Sequence, residues 1–154
     1  TYHHRHRKHF GVDQIGLIVE KLRESPFTNR AVSVTWDPGL DLLSDYPPCN
    51  VAIWLKVVEG RLEMVTFWRS RDAFKAAFAN MYAFTTLQEA IARELKVNVG
   101  SYTDISASYH VYETDFRDVE AFLSLCEKRR REGRPAYAYS SILKQMSSTG
   151  VREA

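Results

Sequence analysis

The strongest constraint on the fold lies between Val51 and Trp68, where two apolar alternations meet across a two-residue turn. Val51, Ile53, Leu55 and Val57 alternate with Ala52, Trp54 and Lys56, Glu59-Gly60 turns the chain, and Leu62, Met64, Thr66 and Trp68 alternate on the return. This pattern specifies an antiparallel hairpin, because slipping the register by one residue would turn the whole apolar set to water. Helical periods flank it. Ile15, Ile18, Val19 and Leu22 share one face behind a capping Asp13, and Ser25-Pro26 ends that helix. From Phe74 onward, Phe78, Met81, Phe84, Leu87, Ile91 and Leu95 recur at three- and four-residue steps and predict one long buried helix, with Asp72 placed to cap it. Asn80 sits within this apolar stretch, where a buried amide needs either a structural hydrogen bond or a ligand.

Ala31 to Trp36 is rich in β-branched residues and reads as a strand that Asp37-Pro38-Gly39 ends. Gly100 closes the helical region, and Tyr102 to Tyr112 reads as a further strand. Its face carrying Ser106, Ser108 and His110 meets water or lines a cavity. Asp115 to Arg131 is a second amphipathic helix through Phe116, Val119, Phe122, Leu123 and Cys126, ended by Gly133 and Pro135, and its apolar side accounts for Cys126 as packing. Ala136 to Ala154 carries a weak helical pattern through Tyr139, Ile142, Leu143 and Met146. With no internal repeat and no boundary, residues 1–154 are expected to form one domain.

At 45% hydrophobic and 26% charged residues, the chain is of the globular class. Its longest apolar run, Val51 to Leu55, is broken by Lys56 and is too short to span a membrane, and no signal segment is present, so a cytoplasmic protein is expected. Cys49 and Cys126 are far apart and form neither a disulfide framework nor a metal-ligand spacing, so two reduced thiols and no metal are expected. A net charge of +2 does not call for nucleic acid, and Lys128-Arg129-Arg130-Arg131 reads as a solvated helix end. His3, His4, Arg5, His6, Arg7, Lys8 and His9 crowd an irregular polar start that offers no converging metal geometry.

Just before the hairpin runs Asp45-Tyr46-Pro47-Pro48-Cys49-Asn50. Each proline fixes its own φ and drives the residue before it toward extended geometry, so the turn presents Cys49 rigidly at the mouth of a strand. A thiol so presented is a candidate nucleophile; a small apolar packing residue is the other local reading.

Taken in order, Val12-Asp13-Gln14-Ile15, Pro47-Pro48-Cys49, Arg69-Ser70 with Asp72 and Phe74, Asn80 ten positions after Ser70, and His110-Val111-Tyr112 resemble thymidylate synthase and its pyrimidine hydroxymethylase relatives, over roughly Tyr2 to Leu123. The resemblance implies an α/β (α+β) fold with a mixed β-sheet and a long buried central helix. It also implies a homodimer that joins through the sheet face and shares its active sites. The implied reaction transfers a one-carbon unit from 5,10-methylenetetrahydrofolate to C5 of a pyrimidine nucleoside monophosphate, most directly dUMP to dTMP, through a Cys49–C6 adduct. A thiolate suits this role because it adds readily to C6 and leaves again at the end. Arg69 would bind the phosphate and favour the thiolate, and Ser70 would add a hydroxyl to that phosphate. Arg30 would reach the partner's site. Asn80 would read the O4 and N3–H edge of uracil, His110 and Tyr112 would bind the sugar, and Asp72 would lie on the folate side.

The departures from the family pattern are equally specific. Asn50 stands where most thymidylate synthases carry histidine, Asn29 replaces a second arginine, and Arg71 brings an extra charge beside the phosphate group. Alanines or phenylalanine replace the family's glycine and proline between Lys75 and Asn80. The segment bearing the family's catalytic glutamate and folate-side tryptophan is expected upstream of Thr1. These features keep two further readings open: C5 hydroxymethylation of dUMP, dCMP or CMP, in which water traps the same intermediate, and a nucleotide-binding homologue without catalysis. A third reading, an RNA-binding module, rests only on the basic segments.

Overall fold

The computed structural model describes residues 1–134, which fall into two units: Thr1–His110, and a second that begins at Val111. The pattern at Ala136 to Ala154, and Pro135, lie outside the described residues.

The first unit is built on the hairpin. β2 (Asn50–Val58) pairs antiparallel with β3 (Arg61–Trp68), with Leu55 opposite Met64 and Val57 opposite Leu62. Glu59 and Gly60 both take positive φ, 49° and 73°, the type I′ geometry whose twist matches that of the paired strands. β1 (Val32–Val34) joins β2 antiparallel and β5 (Asn98–Ser106) joins β3 in parallel, giving a mixed four-stranded sheet in the order β1-β2-β3-β5. A second, two-stranded parallel sheet pairs β4 (Arg71–Asp72) with β6 (Tyr109–His110).

Two helices supply the core that the sheet's inner face requires. α2 (Gln14–Glu24) begins where Asp13 accepts from the Gly16 N–H at 3.0 Å and buries Ile15, Ile18, Val19 and Leu22, as its spacing predicts. α4 (Ala77–Leu95) buries Phe84, Ile91 and Ala92 against Ile53, Leu55, Leu62, Met64 and Trp68. Gln88, also buried, donates to the carbonyls of Leu62 (2.7 Å) and Ser101 (3.0 Å), tying α4 to both parallel strands. The parallel pair accounts for this crossover, since β3 and β5 run the same way and need a long connection between them.

Several boundaries differ from those the sequence predicts. The N-terminal segment is helical: α1 (Tyr2–His4) runs into a π-helical stretch, Arg5–His9, that sets His6 in the interior. Asp37 caps a short α3 (Pro38–Asp41) rather than a simple turn. Asp72 accepts from Phe74 N–H (3.0 Å) and Lys75 N–H (2.9 Å), closing the turn ahead of α4 rather than capping the helix itself. Only one stripe of α4 is buried, and Phe78 is 72% exposed. Lys96, in the left-handed region, ends α4, and Gly100 lies inside β5. The strand expected from Tyr102 to Tyr112 breaks at Ala107-Ser108 into β5 and β6.

The second unit opens with a 3₁₀ turn at Glu113–Asp115 and continues as α5 (Phe116–Arg131), which Gly133 follows with φ +66°. No residue of α5 is buried, so the packing role expected for Cys126 is not realised among the described residues; the thiol is half-exposed.

Candidate functional site

The end of the hairpin builds the centre of the site. Cys49 is half-buried immediately before β2, and Arg69 follows β3, so the antiparallel pair brings them side by side, with Arg69 N–H donating to Cys49 C=O at 3.0 Å. The Arg69 guanidinium folds back over the double-proline turn. Its Nε donates to Pro48 C=O at 3.0 Å and its Nη2 to Pro47 C=O at 2.7 Å, which leaves Nη2 3.9 Å from Cys49 Sγ. Trp36 faces the same guanidinium at 5.7 Å. The prolines thus hold the turn rigid and present the two carbonyls that anchor the cation beside the sulfur. Ser70 is half-buried on the next position of the loop.

Asn50 is fully buried. Its Nδ2 donates to Phe67 C=O at 3.2 Å, while its Oδ1 has no partner among the described residues. Asp72 and His110 stand opposite one another in the β4·β6 pair, and Ser108 Oγ lies 3.2 Å from His110 Nδ1. Asn80 occupies the first turns of α4, half-buried, and no hydrogen bond to its amide is found among the described residues. It lines a cavity of about 260 Å³ together with Tyr2, His6, Ile15, Phe84 and Leu87.

One expected site residue lies apart from this centre. Arg30 is exposed before β1, beyond Val32, which pairs with Trp54. At about 3.3 Å per residue along β2, it stands on the order of 20 Å from Cys49 of its own chain. Tyr112 belongs to the second unit, where its carbonyl accepts from Asp115 N–H at 2.9 Å.

The structure adds residues that sequence reasoning passed over. Tyr2 is one: burial, then the charge of the Cys49 side chain, push its phenol above the usual range. Trp68 packs edge-on against the Tyr2 ring, with centroids 5.6 Å apart. Arg71, expected as an extra charge near the phosphate group, is instead 1% exposed, paired with Asp104 and stacked 3.7 Å from the Trp68 ring centre. Asp104 also accepts from Tyr102 (3.1 Å) and Ser106 (2.9 Å), and burial above all drives the Tyr102 phenol up to about 12. His6 is also buried. Its Nδ1 lies 2.6 Å from Ser33 Oγ, and burial drives the imidazole down to about 4. A polar segment with alternating histidines and arginines gave no apolar period by which its helix could be recognised.

The family model described as thymidylate synthase matches residues 1–145. A Methanothermobacter marburgensis protein named "Putative thymidylate synthase" is 42% identical over 120 residues, covering 78% of this chain and 54% of its own. A Methanopyrus kandleri protein of the same name is 45% identical, covering 77% and 57%. The deoxyuridylate hydroxymethyltransferase of Bacillus phage SP01 is 37% identical over 109 residues, covering 68% and 28%. The chain spans about half the length of the curated archaeal relatives it matches.

Proposed function

This chain belongs to the thymidylate synthase family, and on that premise we propose that it carries the nucleophile-bearing part of an enzyme that methylates C5 of a pyrimidine nucleoside monophosphate, dUMP to dTMP. The observation that carries this reading is the Arg69 guanidinium, anchored on the Pro47 and Pro48 carbonyls and held 3.9 Å from Cys49 Sγ. A fixed cation beside a half-exposed sulfur is the electropositive, accessible setting that distinguishes a reactive cysteine from a packing one.

Cys49 adds to C6 of the pyrimidine, which makes C5 nucleophilic, and departs at the end. Arg69 and Ser70 bind the 5′-phosphate and fix the base relative to the sulfur, so that the addition is effectively intramolecular. Asn80, a lining residue of the cavity, reads the uracil edge by donating to O4 and accepting from N3–H. His110 contacts the sugar. 5,10-Methylenetetrahydrofolate supplies the one-carbon unit and the hydride when bound. The residues present fit one edge of it, because Asp72 spends only Oδ1 on backbone N–H groups and retains Oδ2 for a ring N–H. The two free thiols suit a cytoplasmic setting.

The distance between Arg30 and Cys49 within one chain supports a homodimer in which Arg30 serves the partner's phosphate. The sheet's outer face supports it too, carrying the cross-strand row Val34, Ala52, Phe67 and Ile105. Hydroxymethylation is the second reading, favoured by the phage relative and by Asn50, whose unpartnered Oδ1 beside the nucleophile suits a water.

Incubating the full-length protein with the one-carbon donor and each of the four uridine and cytidine monophosphates, ribo and deoxy, and weighing the products tests this. A methyl gain on dUMP is expected, and Cys49→Ser should abolish it together with the covalent adduct to a 5-fluoropyrimidine nucleotide. A hydroxymethyl gain selects the second reading. No mass gain, with the adduct absent from the wild type, leaves a nucleotide-binding protein.

A further inference from the structure

Arg5, His9, Asp37 and Asp41 form an ion cluster for which the proposed reaction has no use. Arg5 meets Asp41 with both ends of its fork, Nη1 to Oδ2 at 3.0 Å and Nη2 to Oδ1 at 2.8 Å, and His9 Nε2 lies 2.9 Å from Asp37 Oδ2. Asp41 is 3% exposed and is the one buried residue of α3. Apolar side chains commonly serve stability as well as a buried ion pair does, and α3 brings no apolar core for this pair to support.

The bonds of the pair to the backbone show what it fixes. Arg5 Nη1 donates to Thr35 C=O at 3.2 Å, and Asp37 N–H donates to Asp41 Oδ2 at 2.7 Å, so the residues on either side of Trp36 are tied to one pair of charges. Thr35 also donates its N–H to Val51 C=O at 2.9 Å and its hydroxyl to Asn50 C=O, which sets Trp36 beside the start of β2, next to Cys49. There the Arg69 guanidinium stands 5.7 Å from the centre of the Trp36 ring, within reach of a cation–π contact. The N–H bonds of a guanidinium lie in its plane, so the bonds from Nε to Pro48 C=O and from Nη2 to Pro47 C=O hold the group by its edges. A contact on the face is what resists tilting.

Resting on the reading of Cys49 as the nucleophile and Arg69 as its cation, we propose that Trp36 is a positioning residue for Arg69. Mounted on the Arg5–Asp41 pair, its ring keeps the guanidinium flat on the double-proline turn and so holds Nη2 at its 3.9 Å from Cys49 Sγ. Neither proline carbonyl takes Nη1, so an anion can meet that edge without displacing the anchor.

The test follows the Arg69 Nε–H signal in the full-length protein by heteronuclear NMR, assigned by its loss in Arg69→Lys. Trp36→Met removes the ring face and is expected to lower the Nε order parameter from the rigid range to below about 0.6. Trp36→Phe, of similar size to the Met variant, keeps a π face and should restore the rigid value, a rescue that packing volume alone does not predict. Arg5→Met should loosen Arg69 with the Trp36 ring still present. If that variant fails to fold by circular dichroism, Asp41→Asn, which keeps the shape and removes the charge, takes its place. Adduct formation with a 5-fluoropyrimidine nucleotide should slow about fivefold in Trp36→Met, the worth of one cation–π contact, and recover in Trp36→Phe. A mobile Arg69 in the wild type, a rigid one in folded Trp36→Met, or equal mobility in the Met and Phe variants would overturn the proposal. An Arg69 left rigid in the folded Arg5 or Asp41 variant would overturn the role of the ion pair. The NMR signal needs no nucleotide, so a wild type with a rigid Arg69 that forms no adduct removes the reading of Cys49 and not the positioning of Arg69.

Discussion

His6 is a titratable group placed where charge is unwelcome. Burial holds its folded value near 4, against 6.5 for the ordinary imidazole, with His3 and Arg7 acting in the same direction. Protons therefore bind the unfolded chain first. The stability associated with a neutral His6 is fully present above pH 6.5, drains as pH falls from 6.5 toward 4, and is exhausted below both values, at a total of roughly 3 kcal/mol. Urea midpoints at pH 7 and 4.5 should differ markedly in the wild type and much less in His6→Gln. An unchanged difference in the variant would place the titration elsewhere. Asp13 acts at lower pH and from the opposite chemistry: the Gly16 N–H first, then Arg7, hold its carboxyl below the usual range. Its capping contribution is present above the ordinary carboxylate value and is lost as pH falls through the depressed one. Asp13→Ala should cost about 1 kcal/mol at pH 7 in thermal or urea unfolding.

At the level of elements, Gly100 shows why local patterns mislead. It reads as a helix terminator, yet it sits in β5 where the parallel register to β3 shifts between Leu62 and Met64. A Cβ there would approach the Leu62 carbonyl to 2.8 Å and collide with the Glu63 carboxylate, which accepts from the Ser101 N–H. Gly100→Ala should destabilise by about 1 to 3 kcal/mol, because strand backbone, unlike a side chain, cannot swing away; an unchanged melting temperature would refute the close packing. The same contrast separates what the sequence reveals from what it hides. The hairpin and α2 were legible because one face of each is uniformly apolar and their turn and cap are local. The juxtaposition of Cys49 and Arg69 was legible because the hairpin that joins them was. The buried Arg71–Asp104 pair, the helix at Tyr2–His9 and the burial of His6 were not, since charged and imidazole side chains read as solvent-facing until a partner across the fold neutralises or receives them. Phe78 erred the other way, in step with the apolar period but on the exposed edge of its stripe.

For the whole molecule, the sheet has one committed face and one open one. Inward, Leu55, Leu62 and Met64 are fully buried beneath the helices. Outward, registered rows run Val34–Ala52–Phe67–Ile105 and Val32–Trp54–Val65–Thr103, with Phe67 39% and Ile105 47% exposed. A contiguous apolar surface of this kind marks an association site, and a two-fold interface would set each row against its copy. Phe67→Glu places a charge in the centre of that surface, where a two-fold interface would bring it near its own copy. Sedimentation velocity should show a dimer for the wild type and a monomer for the variant, with folding intact by circular dichroism. If Arg30 binds the partner's phosphate, the monomer should also fail to form the 5-fluoropyrimidine adduct at concentrations where the wild type does, although its own Cys49, Arg69 and Asn80 are untouched. A mixture of Arg30→Ala and Cys49→Ser chains should then recover turnover that neither variant has alone, because exchange of subunits creates one site with both groups native. A monomeric wild type, or a Phe67→Glu monomer that forms the adduct normally, would remove the shared site and leave Arg30 an ordinary surface residue.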